Sequence, residues 1–365
     1  LSFNNDWGRF TNDLEFGIRF HADEEDRFQL EDDFRMANGT MVLTTAGIAG
    51  TQANRIGSAN ALSFYIKDNL DFGQLTVSPG LRMENIWFEN RNFGRNDVNR
   101  TGQNLSKSNL NITEWIPGVG ATFAFNENIT LISGIHKGFS PPGPSSSEGT
   151  ESERSVNYEL GGRFANPVTA IELIGFFNNY SNLLGSDLAA GGGGGTTSQF
   201  NAGDVDVFGL EFSLNTSLSG LFNLSNTKLP IQVSYTFTEA TFQSSFESDF
   251  SPWGSVQKGD NIPFIPEHQF NASVGVNHKK ISINASANTQ SAMRTVAGSG
   301  SIPADVRTDA HFIMDAGASY QFTENIQLFS NIRNLFDEVY IVSDRPAGLR
   351  PGLPRTLIGG LRFNM

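Results

Sequence analysis

Apolar and polar residues alternate along much of this chain. Residues 14–21 read L-E-F-G-I-R-F-H, and residues 356–365 at the other end read T-L-I-G-G-L-R-F-N-M. Successive side chains of a β-strand point to opposite faces, so alternation with a period of two predicts strands that have one apolar and one polar face. Long strands of this kind are typical of a transmembrane β-barrel, whose apolar face meets lipid.

The alternating stretches predict an all-β, antiparallel, up-and-down transmembrane barrel of about fourteen strands in this sequence. Most of them have the roughly 9 to 11 residues that a tilted strand needs to cross the hydrocarbon layer. The predicted strands are 10–22, 58–70, 74–89, 110–125, 128–138, 154–166, 168–184, 203–218, 228–244, 266–278, 280–295, 308–322, 325–338 and 353–365.

The connections between these strands alternate in length. Tight turns are predicted at 71–73, 126–127, 166–167, 279–280 and 323–324, with a somewhat longer one at 219–227. Long polar loops are predicted near 22–57, 89–109, 138–154, 184–203, 244–266, 295–308 and 338–353. Outer-membrane barrels combine short periplasmic turns with long external loops, so the tight turns mark the periplasmic end.

Three stretches interrupt the pattern. The acidic run 23–33 is interpreted as a solvated part of the first long loop, and the glycine-rich run 189–197 as a flexible external loop. At 205–210 the apolar phase shifts, which predicts either a bulge or exposure above the membrane.

One face of the predicted strands collects charged residues, and the central positions of the other face carry almost no charge. An Arg or Lys facing lipid at mid-bilayer depth would cost about 2 to 4 kcal/mol, so the charged face is expected to line a wet or protein-filled lumen. The residues assigned to it are Glu15, Arg19, Lys67, Arg82, Glu84, Glu114, Glu159, Arg163, Glu211, Asp315, Arg333 and Arg362.

Composition narrows the function classes. The formal net charge of -13 argues against nucleic acid as a partner, because nucleic-acid binders need a basic surface. The chain has no Cys, its five His residues are scattered, and no Ser, His and acid grouping stands out. We therefore expect no enzyme activity, no protein-bound metal and no cofactor.

Several motifs carry a family resemblance, and they recur in order over essentially the whole chain. They are P-G-L-R-M-E at 79–84, G-F-S-P-P at 138–142 with E-S-E-R-S-V-N-Y-E-L-G-G-R at 151–163, N-A-G-D-V-D-V-F-G-L-E at 201–211, and N-L-F-D-E-V-Y at 334–340. Together they resemble TonB-dependent outer-membrane receptors, with most similarity to ferric citrate receptors. The ending G-L-R-F-N-M resembles the signal read by the barrel-assembly machinery, although it ends in Met365 where Phe is usual.

The resemblance implies a barrel of about 22 strands plugged by an N-terminal domain. Residues 1–365 would then be the C-terminal part of the barrel domain, and the plug and the first strands would precede Leu1, where the sequence starts within the pattern and without Met. Alternatively, about fourteen strands close on themselves as a smaller barrel.

A TonB-dependent receptor would capture a ferric chelate, such as ferric citrate or another siderophore, and admit it to the periplasm with its plug and the TonB complex. Outer-membrane lipid and lipopolysaccharide would be further partners. Such chelates are anionic, and Arg presents a planar donor fork that suits carboxylate or catecholate oxygens. The candidate ligand-binding residues are Arg82, Arg91, Arg95, Arg154, Arg294 and Arg307, with Arg100 and Arg345 as further candidates.

Two other interpretations remain open at this point. One is a passive porin-like channel of about fourteen strands, and the other is an adhesin or structural barrel without transport. For each arginine, pairing with an acid on a neighbouring strand competes with ligand contact, and Arg163, Arg333 and Arg362 fit such pairing best. The loops 138–154, 184–203 and 244–266 are expected to close over a ligand, because their Gly and Ser content gives them freedom to move.

Overall fold

The computed structural model describes residues 1–186 and 199–363, except 145, 147, 148, 221, 223, 249, 251, 346 and 347. That part of the chain consists of strands, loops and one short 3₁₀ helix, Ala304–Val306. The strands are β1 (Ser2–Asp6), β2 (Thr11–Gln29), β3 (Asp33–Ala37), β4 (Thr40–Thr45), β5 (Ala53–Asp71), β6 (Leu75–Asn92), β7 (Ser106–Ala124), β8 (Ile129–Ser140), β9 (Glu153–Ala165), β10 (Thr169–Ser181), β11 (Leu184–Ser186), β12 (Gln199–Asn201), β13 (Val205–Ser217), β14 (Thr227–Lys228), β15 (Pro230–Phe242), β16 (Phe246–Glu247), β17 (Ser255–Val256), β18 (His268–His278), β19 (Ile281–Gln290), β20 (His311–Gln321), β21 (Ile326–Arg333), β22 (Ile341–Ser343), β23 (Arg350–Pro351) and β24 (Thr356–Phe363).

One antiparallel sheet forms the wall of the molecule. Its strand order is β1, β2, β5, β6, β7, β8, β9, β10, β13, β15, β18, β19, β20, β21 and β24, and the short β14 extends β15 along β18. Every long strand therefore pairs with the next long strand along the chain. This confirms the predicted all-β, antiparallel, up-and-down architecture, and each of the fourteen predicted strands corresponds to one observed strand.

The alternation did not reveal β1 or the small hairpins in the long loops. Four two-stranded ladders lie off the wall: β3 with β4, β11 with β12, β16 with β17, and β22 with β23. Within the wall, β1 and β24 are the two ends of the strand order. Among the described residues, no helix is long and apolar enough to cross a membrane.

The register places apolar and polar residues in separate cross-strand rows. Ile18 pairs with Phe64, Phe64 with Met83, and Met83 with Trp115. The neighbouring row on the opposite face contains Arg19, Ser63, Glu84 and Glu114. The row of large apolar side chains is the lipid-facing side, and the charged row lies on the inner face, as the alternation predicted.

Two strands extend well past their predicted ends. The acidic segment that we interpreted as loop continues β2 as far as Gln29, and its partner β5 begins at Ala53. The ladder continues there without a shift, with Glu24 opposite Ser58 and Asp26 opposite Ile56. Beyond the lipid both faces of a strand meet water, so the alternation is lost although the backbone pairing continues.

The tight turns are stabilised by Asn and Asp side chains. Asn126 Oδ1 accepts hydrogen bonds from the backbone N–H groups of Asn128 and Ile129, each at 2.9 Å. Asn166 accepts the same pair of bonds from Val168 and Thr169, at 2.9 and 2.7 Å. Asn and Asp favour turns because their side chains can cap nearby backbone groups in this way.

The phase shift at 205–210 is not a bulge. β13 pairs with β10 and β15 in unbroken register over this segment. The apolar residues change face because Val205 is fully buried against the external loop that follows β15. The predicted exposure is therefore also wrong for Val205.

That external loop contains a compact aromatic core. Val205, Phe242, Trp253 and Val256 are buried together with Ala202, and Phe246 and Phe250 pack against them. The Phe242 and Trp253 rings lie edge to face with their centroids 6.0 Å apart. The glycine run 189–197, which we predicted to be flexible, lies outside the described residues.

Candidate functional site

Two carboxylates face each other on the inner wall. Glu84 of β6 and Glu114 of β7 are directly opposite in the ladder, and both side chains are nearly buried. Like charges directly opposite on neighbouring strands destabilise a sheet unless other groups compensate them. Three cations, Arg82, Lys137 and Arg154, provide this compensation, and we call the five residues the inner-wall charge cluster.

Glu84 is held by residues of β5 and β6. The Ser63 hydroxyl donates to Glu84 Oε2 at 2.5 Å, and the Arg82 guanidinium forms an ion pair with Glu84 Oε1. Arg82 Nη2 also donates to Ser63 Oγ at 3.0 Å. Arg82 and Glu84 lie two residues apart on one strand, so their side chains project from the same face.

Glu114 is held by the two strands that follow it. Lys137 Nζ of β8 lies 3.0 Å from Glu114 Oε2, and Arg154 Nε of β9 lies 2.7 Å from Glu114 Oε1. Pairing between β7 and β8 begins only at Gly118 and His136, directly below Pro117, which has no N–H to donate. The charged side chains therefore bridge the upper ends of β7, β8 and β9 where the ladder between β7 and β8 is absent.

In the cluster the cationic side chains are partly exposed and the carboxylates are buried. The side chains of Arg154, Arg82 and Lys137 are 43%, 36% and 27% exposed. Those of Glu84 and Glu114 are only 10% and 4% exposed. In the ladder Lys137 and Arg154 fall on the same face as Ile135 and Tyr158, so their side chains reach Glu114 where β7 and β8 are unpaired. A solute therefore meets exposed N–H donors before it meets the buried carboxylates.

The loop after β8 covers the wall above the cluster. Pro142 is fully buried, and Pro144 lies so close to Gly57 of β5 that a Cβ at Gly57 would meet the proline ring at 2.8 Å. Beside the cluster, a groove of about 650 Å³ includes Tyr65, Arg82, His136 and Lys137 in its lining. The glycine pairs Gly80–Gly118 and Gly120–Gly134 leave the backbone bare in this groove.

Two of the six candidate arginines, Arg82 and Arg154, belong to the inner-wall charge cluster. Arg91 lies higher on β6, with its guanidinium 3.6 Å from Glu24 and 3.9 Å from Glu89. Arg95 is exposed in the following loop and forms no ion pair with any residue that the structure describes.

Arg294 and Arg307 lie together in another external loop. They form an isolated antiparallel bridge, and Arg294 is buried and donates to the carbonyl oxygen of Gly300. Arg307 is exposed. Neither forms an ion pair within the described part of the chain.

Arg100 has a structural role. It binds Asp26 at 2.9 Å and Asn54 at 2.8 Å, and its guanidinium lies over the rings of Phe28 and Phe93. The ion pair with Asp26 raises the pKa of Arg100. Arg100 therefore anchors the loop after β6 to β2 and β5.

The same loop is closed by Asp97. Its carboxylate accepts hydrogen bonds from the backbone N–H groups of Thr101 and Gly102, both at 2.8 Å. The bond from the Thr101 backbone is the main cause that lowers the pKa of Asp97 below its ordinary 3.8.

Two of the arginines assigned to pairing have inner-wall partners. Arg163 Nε lies 2.7 Å from Glu172 on the neighbouring strand, and Arg362 Nη1 donates to Gln327 at 3.2 Å. Arg333 forms no ion pair among the described residues. Sequence reasoning missed Lys137 and the way that the two glutamates orient the cations, although it had placed Glu84 and Glu114 on the inner face.

Comparison with known proteins identifies the family. The model for "TonB dependent receptor-like, beta-barrel" matches residues 1–335. The chain belongs to this family. Its members are outer-membrane transport receptors of Gram-negative bacteria that bind ferric siderophores and interact with TonB, and the family is one of receptors and not of enzymes.

A curated relative in this TonB-dependent receptor family is the catecholate siderophore receptor Fiu of Escherichia coli K12. It is 28% identical over 167 residues, which cover 45% of this chain and 20% of that protein. The chain therefore matches only a fifth of the length of this curated relative.

Solved structures confirm the barrel fold of a TonB-dependent receptor. The siderophore receptor PiuA from Acinetobacter baumannii superposes with a TM-score of 0.76 at 14% identity, over 99% of this chain and 54% of that one. The closed form of the ferric-catecholate import receptor Fiu from E. coli K12 gives 0.73 at 17% identity, over 99% and 53%. The unliganded ferric citrate transporter FecA gives 0.72 at 19% identity, with the same coverage.

Proposed function

We propose that this chain forms the wall of an outer-membrane receptor that takes up an anionic ferric chelate by energy-coupled active transport. The observation that carries the proposal is the inner-wall charge cluster, in which exposed Arg and Lys side chains stand in front of buried carboxylates. Membership of the TonB-dependent receptor family supports the transport class. The receptor would bind the chelate and release it to the periplasm, with no covalent chemistry.

The cluster suits an anion for electrostatic reasons. Its three cations and two carboxylates sum to one positive charge, whereas the whole chain carries a formal net charge of -13. The buried Glu84 and Glu114 hold the guanidinium groups in place, so an arriving anion finds donors that are already oriented. Arg82 and Arg154 would contact carboxylate or catecholate oxygens through their donor forks, and Lys137 would add a point charge.

The other candidate arginines would act at the external loops. Arg95 and Arg307 are exposed and could meet a chelate before it reaches the wall, and Arg91 and Arg294 lie close to these loops. The exposed guanidinium groups of Arg95 and Arg307 offer local attraction to an anion, whereas the charge of Arg91 is partly neutralised by Glu24 and Glu89. We assign first contact to Arg95 and Arg307, a supporting role at the loop bases to Arg91 and Arg294, and tighter binding to Arg82 and Arg154.

The names of the similar proteins suggest the class of ligand. One relative is named for catecholate siderophores and one neighbour for ferric citrate. Both kinds of ferric chelate are anionic and rich in oxygen, which is the chemistry that the cluster recognises. We therefore propose ferric citrate or another siderophore as the substrate.

The partners belong to the same proposal. Residues 1–365 would be the C-terminal part of a longer barrel domain, and the TonB complex would act through a plug that precedes it. Outer-membrane phospholipid and lipopolysaccharide would surround the apolar face, and the barrel-assembly machinery would read the C-terminal strand.

Uptake of radioactive iron tests the proposal. The complete gene would be expressed in a strain that lacks its own ferric-chelate receptors, and uptake would be measured with ferric citrate and with a ferric catecholate, with and without functional TonB. We expect TonB-dependent uptake of at least one chelate. Uptake of neither chelate, or equal uptake without TonB, would overturn the proposal, and the second result together with steady conductance in liposomes would indicate the passive channel.

A further inference from the structure

Lysines are concentrated at one point of the short-turn end of the wall. Three of the seven lysines in the chain, Lys228, Lys279 and Lys280, lie there. Thr227 and Lys228 of β14 pair with His278 and Asn277 of β18, and Lys279 and Lys280 form the turn to β19. Lys228 shares the inner face with Asn277, so we call only Lys279 and Lys280, at the turn itself, the basic rim.

The lysines of the basic rim differ from other lysines of the wall in their partners. Within the described residues, none of its lysines forms an ion pair, and Lys280 Nζ donates to the carbonyl oxygen of Phe322 at 3.2 Å. In contrast, Lys67 and Lys137 each lie close to a glutamate, at 2.9 and 3.0 Å. The positive charge of the rim is therefore available to an external anion.

Apolar side chains surround these lysines. His278, Ile281 and Tyr320 occupy one cross-strand row on the lipid-facing side, which continues the face that carries Val276 and Ile283. Phe322 is 48% exposed and packs edge to face against Tyr320, with ring centroids 4.9 Å apart. The lysines thus stand where the apolar face of the wall ends.

The loop between β13 and β14 adds two more apolar groups. Phe222 and Leu224 are exposed there, and the Leu224 N–H bonds the carbonyl oxygen of Ser219 at 3.0 Å. Exposed apolar side chains next to unpaired lysines are the combination by which proteins bind the interface of an anionic membrane.

The geometry points to a binding site for the headgroup of an anionic phospholipid, which we propose for the basic rim. The site rests on the membrane placement of the proposed function and is independent of the chelate that is transported. The short turns face the periplasm, so the lipid belongs to the periplasmic leaflet. The lysine stems would lie along the acyl boundary while their ammonium groups reach the phosphate.

Native mass spectrometry of the full-length receptor tests this inference. The protein would be equilibrated with mixed micelles that contain phosphatidylglycerol and phosphatidylcholine with identical acyl chains. We expect the wild type to retain several-fold more phosphatidylglycerol, and K279Q/K280Q to lose this preference by about threefold. Glutamine keeps most of the stem, so the charge is the main change, and K228Q, on the inner face, should leave the preference unchanged.

The matched control is K107Q/K258Q, which removes two lysines at the long-loop end of the wall, opposite to the short turns. It should retain the wild-type preference, and all variants should show the heat-dependent gel mobility of a folded barrel. A folded K279Q/K280Q protein with wild-type preference would overturn the inference, as would an equal loss in the control. Because no iron is present, this result is independent of the uptake assay.

Discussion

The inner face of the wall differs between its two halves. From β5 to β9 it carries the inner-wall charge cluster, in which each buried acid has cationic partners. From β18 to β20 the corresponding rows hold mainly neutral polar groups, such as Asn271 opposite Asn288, and Asn277 opposite Ser282, with Asp315 opposite Ser286 as a charged exception. The chain thus separates a charged surface from an amide and hydroxyl surface within one sheet.

The difference shows what each half can do. Charged groups need partners at defined positions, and those partners fix the direction in which the exposed cations point. Amides and hydroxyls both donate and accept, so they can bond to water or to a passing solute in many arrangements. We expect selective binding of an anion on the charged half and weak, unselective contact on the neutral half.

The largest effect is expected from E114Q. This substitution leaves Lys137 and Arg154 without their counter-charge, which we expect to destabilise the upper ends of β8 and β9 by about 1 to 3 kcal/mol. Limited proteolysis between residues 141 and 152 should become about tenfold faster. E172Q, which removes the partner of Arg163, is the control, and an equal change there would contradict a special role for the cluster.

The second effect concerns ligand affinity. R154Q removes an exposed donor fork, and we expect the Kd for the transported ferric chelate to rise about tenfold, equivalent to about 1.4 kcal/mol. R163Q lies on the same strand and should change the Kd by less than about twofold. Isothermal titration of the full-length receptor measures both values, and similar losses in the two variants would place the ligand elsewhere.

A third experiment introduces acids into both halves. Ile116 lies opposite Arg82 in the ladder, so I116E should neutralise part of the donor surface and weaken binding about fivefold. N284E places the same charge on the neutral half, where solvent screening should limit the change to less than about twofold. If N284E weakened binding more than I116E, the assignment of selectivity to the charged half would be wrong.

The smallest effect concerns the external loop after β6, which should become less ordered at low pH. The pKa of Asp97 is depressed in the folded protein, so the stability that its ionised form provides is present above its ordinary pKa. It is lost as the pH falls through the depressed value, below 3.8. Hydrogen exchange at Thr101 and Gly102, corrected for the intrinsic rate at each pH, should show protection at pH 6 that disappears in this acidic range. D97N should show weak protection at both pH values.

The wall was predictable because lipid forces one residue in two to be apolar. That constraint ends where the strands leave the membrane, which is why residues 23–29 resembled a loop although the ladder continues through them. The alternation of apolar and polar residues also does not determine which residues of neighbouring strands are paired. The sequence placed Glu84 and Glu114 on one face, but only pairing shows that they are opposite each other and that Lys137 and Arg154 share one carboxylate.

The external loops were predicted least well, because their composition was given more weight than their aromatic residues. Loop 244–266 was expected to be a mobile lid on account of its Gly and Ser content. Phe246, Phe250 and Trp253 in that segment were the signal for a packed core. Closure over a ligand remains a prediction, and any such motion would carry the packed segment as one unit.

The aromatic core has a consequence for how this protein responds to denaturants. The wall takes its nonpolar surroundings from the bilayer, whereas Phe242 and Trp253 are shielded from water by the polypeptide itself. Urea in the surrounding water can reach this aromatic core without first extracting a strand from lipid. Tryptophan fluorescence from position 253 should therefore change at lower urea concentrations than the circular dichroism of the embedded sheet. The aromatic core and the sheet should unfold in two separate transitions.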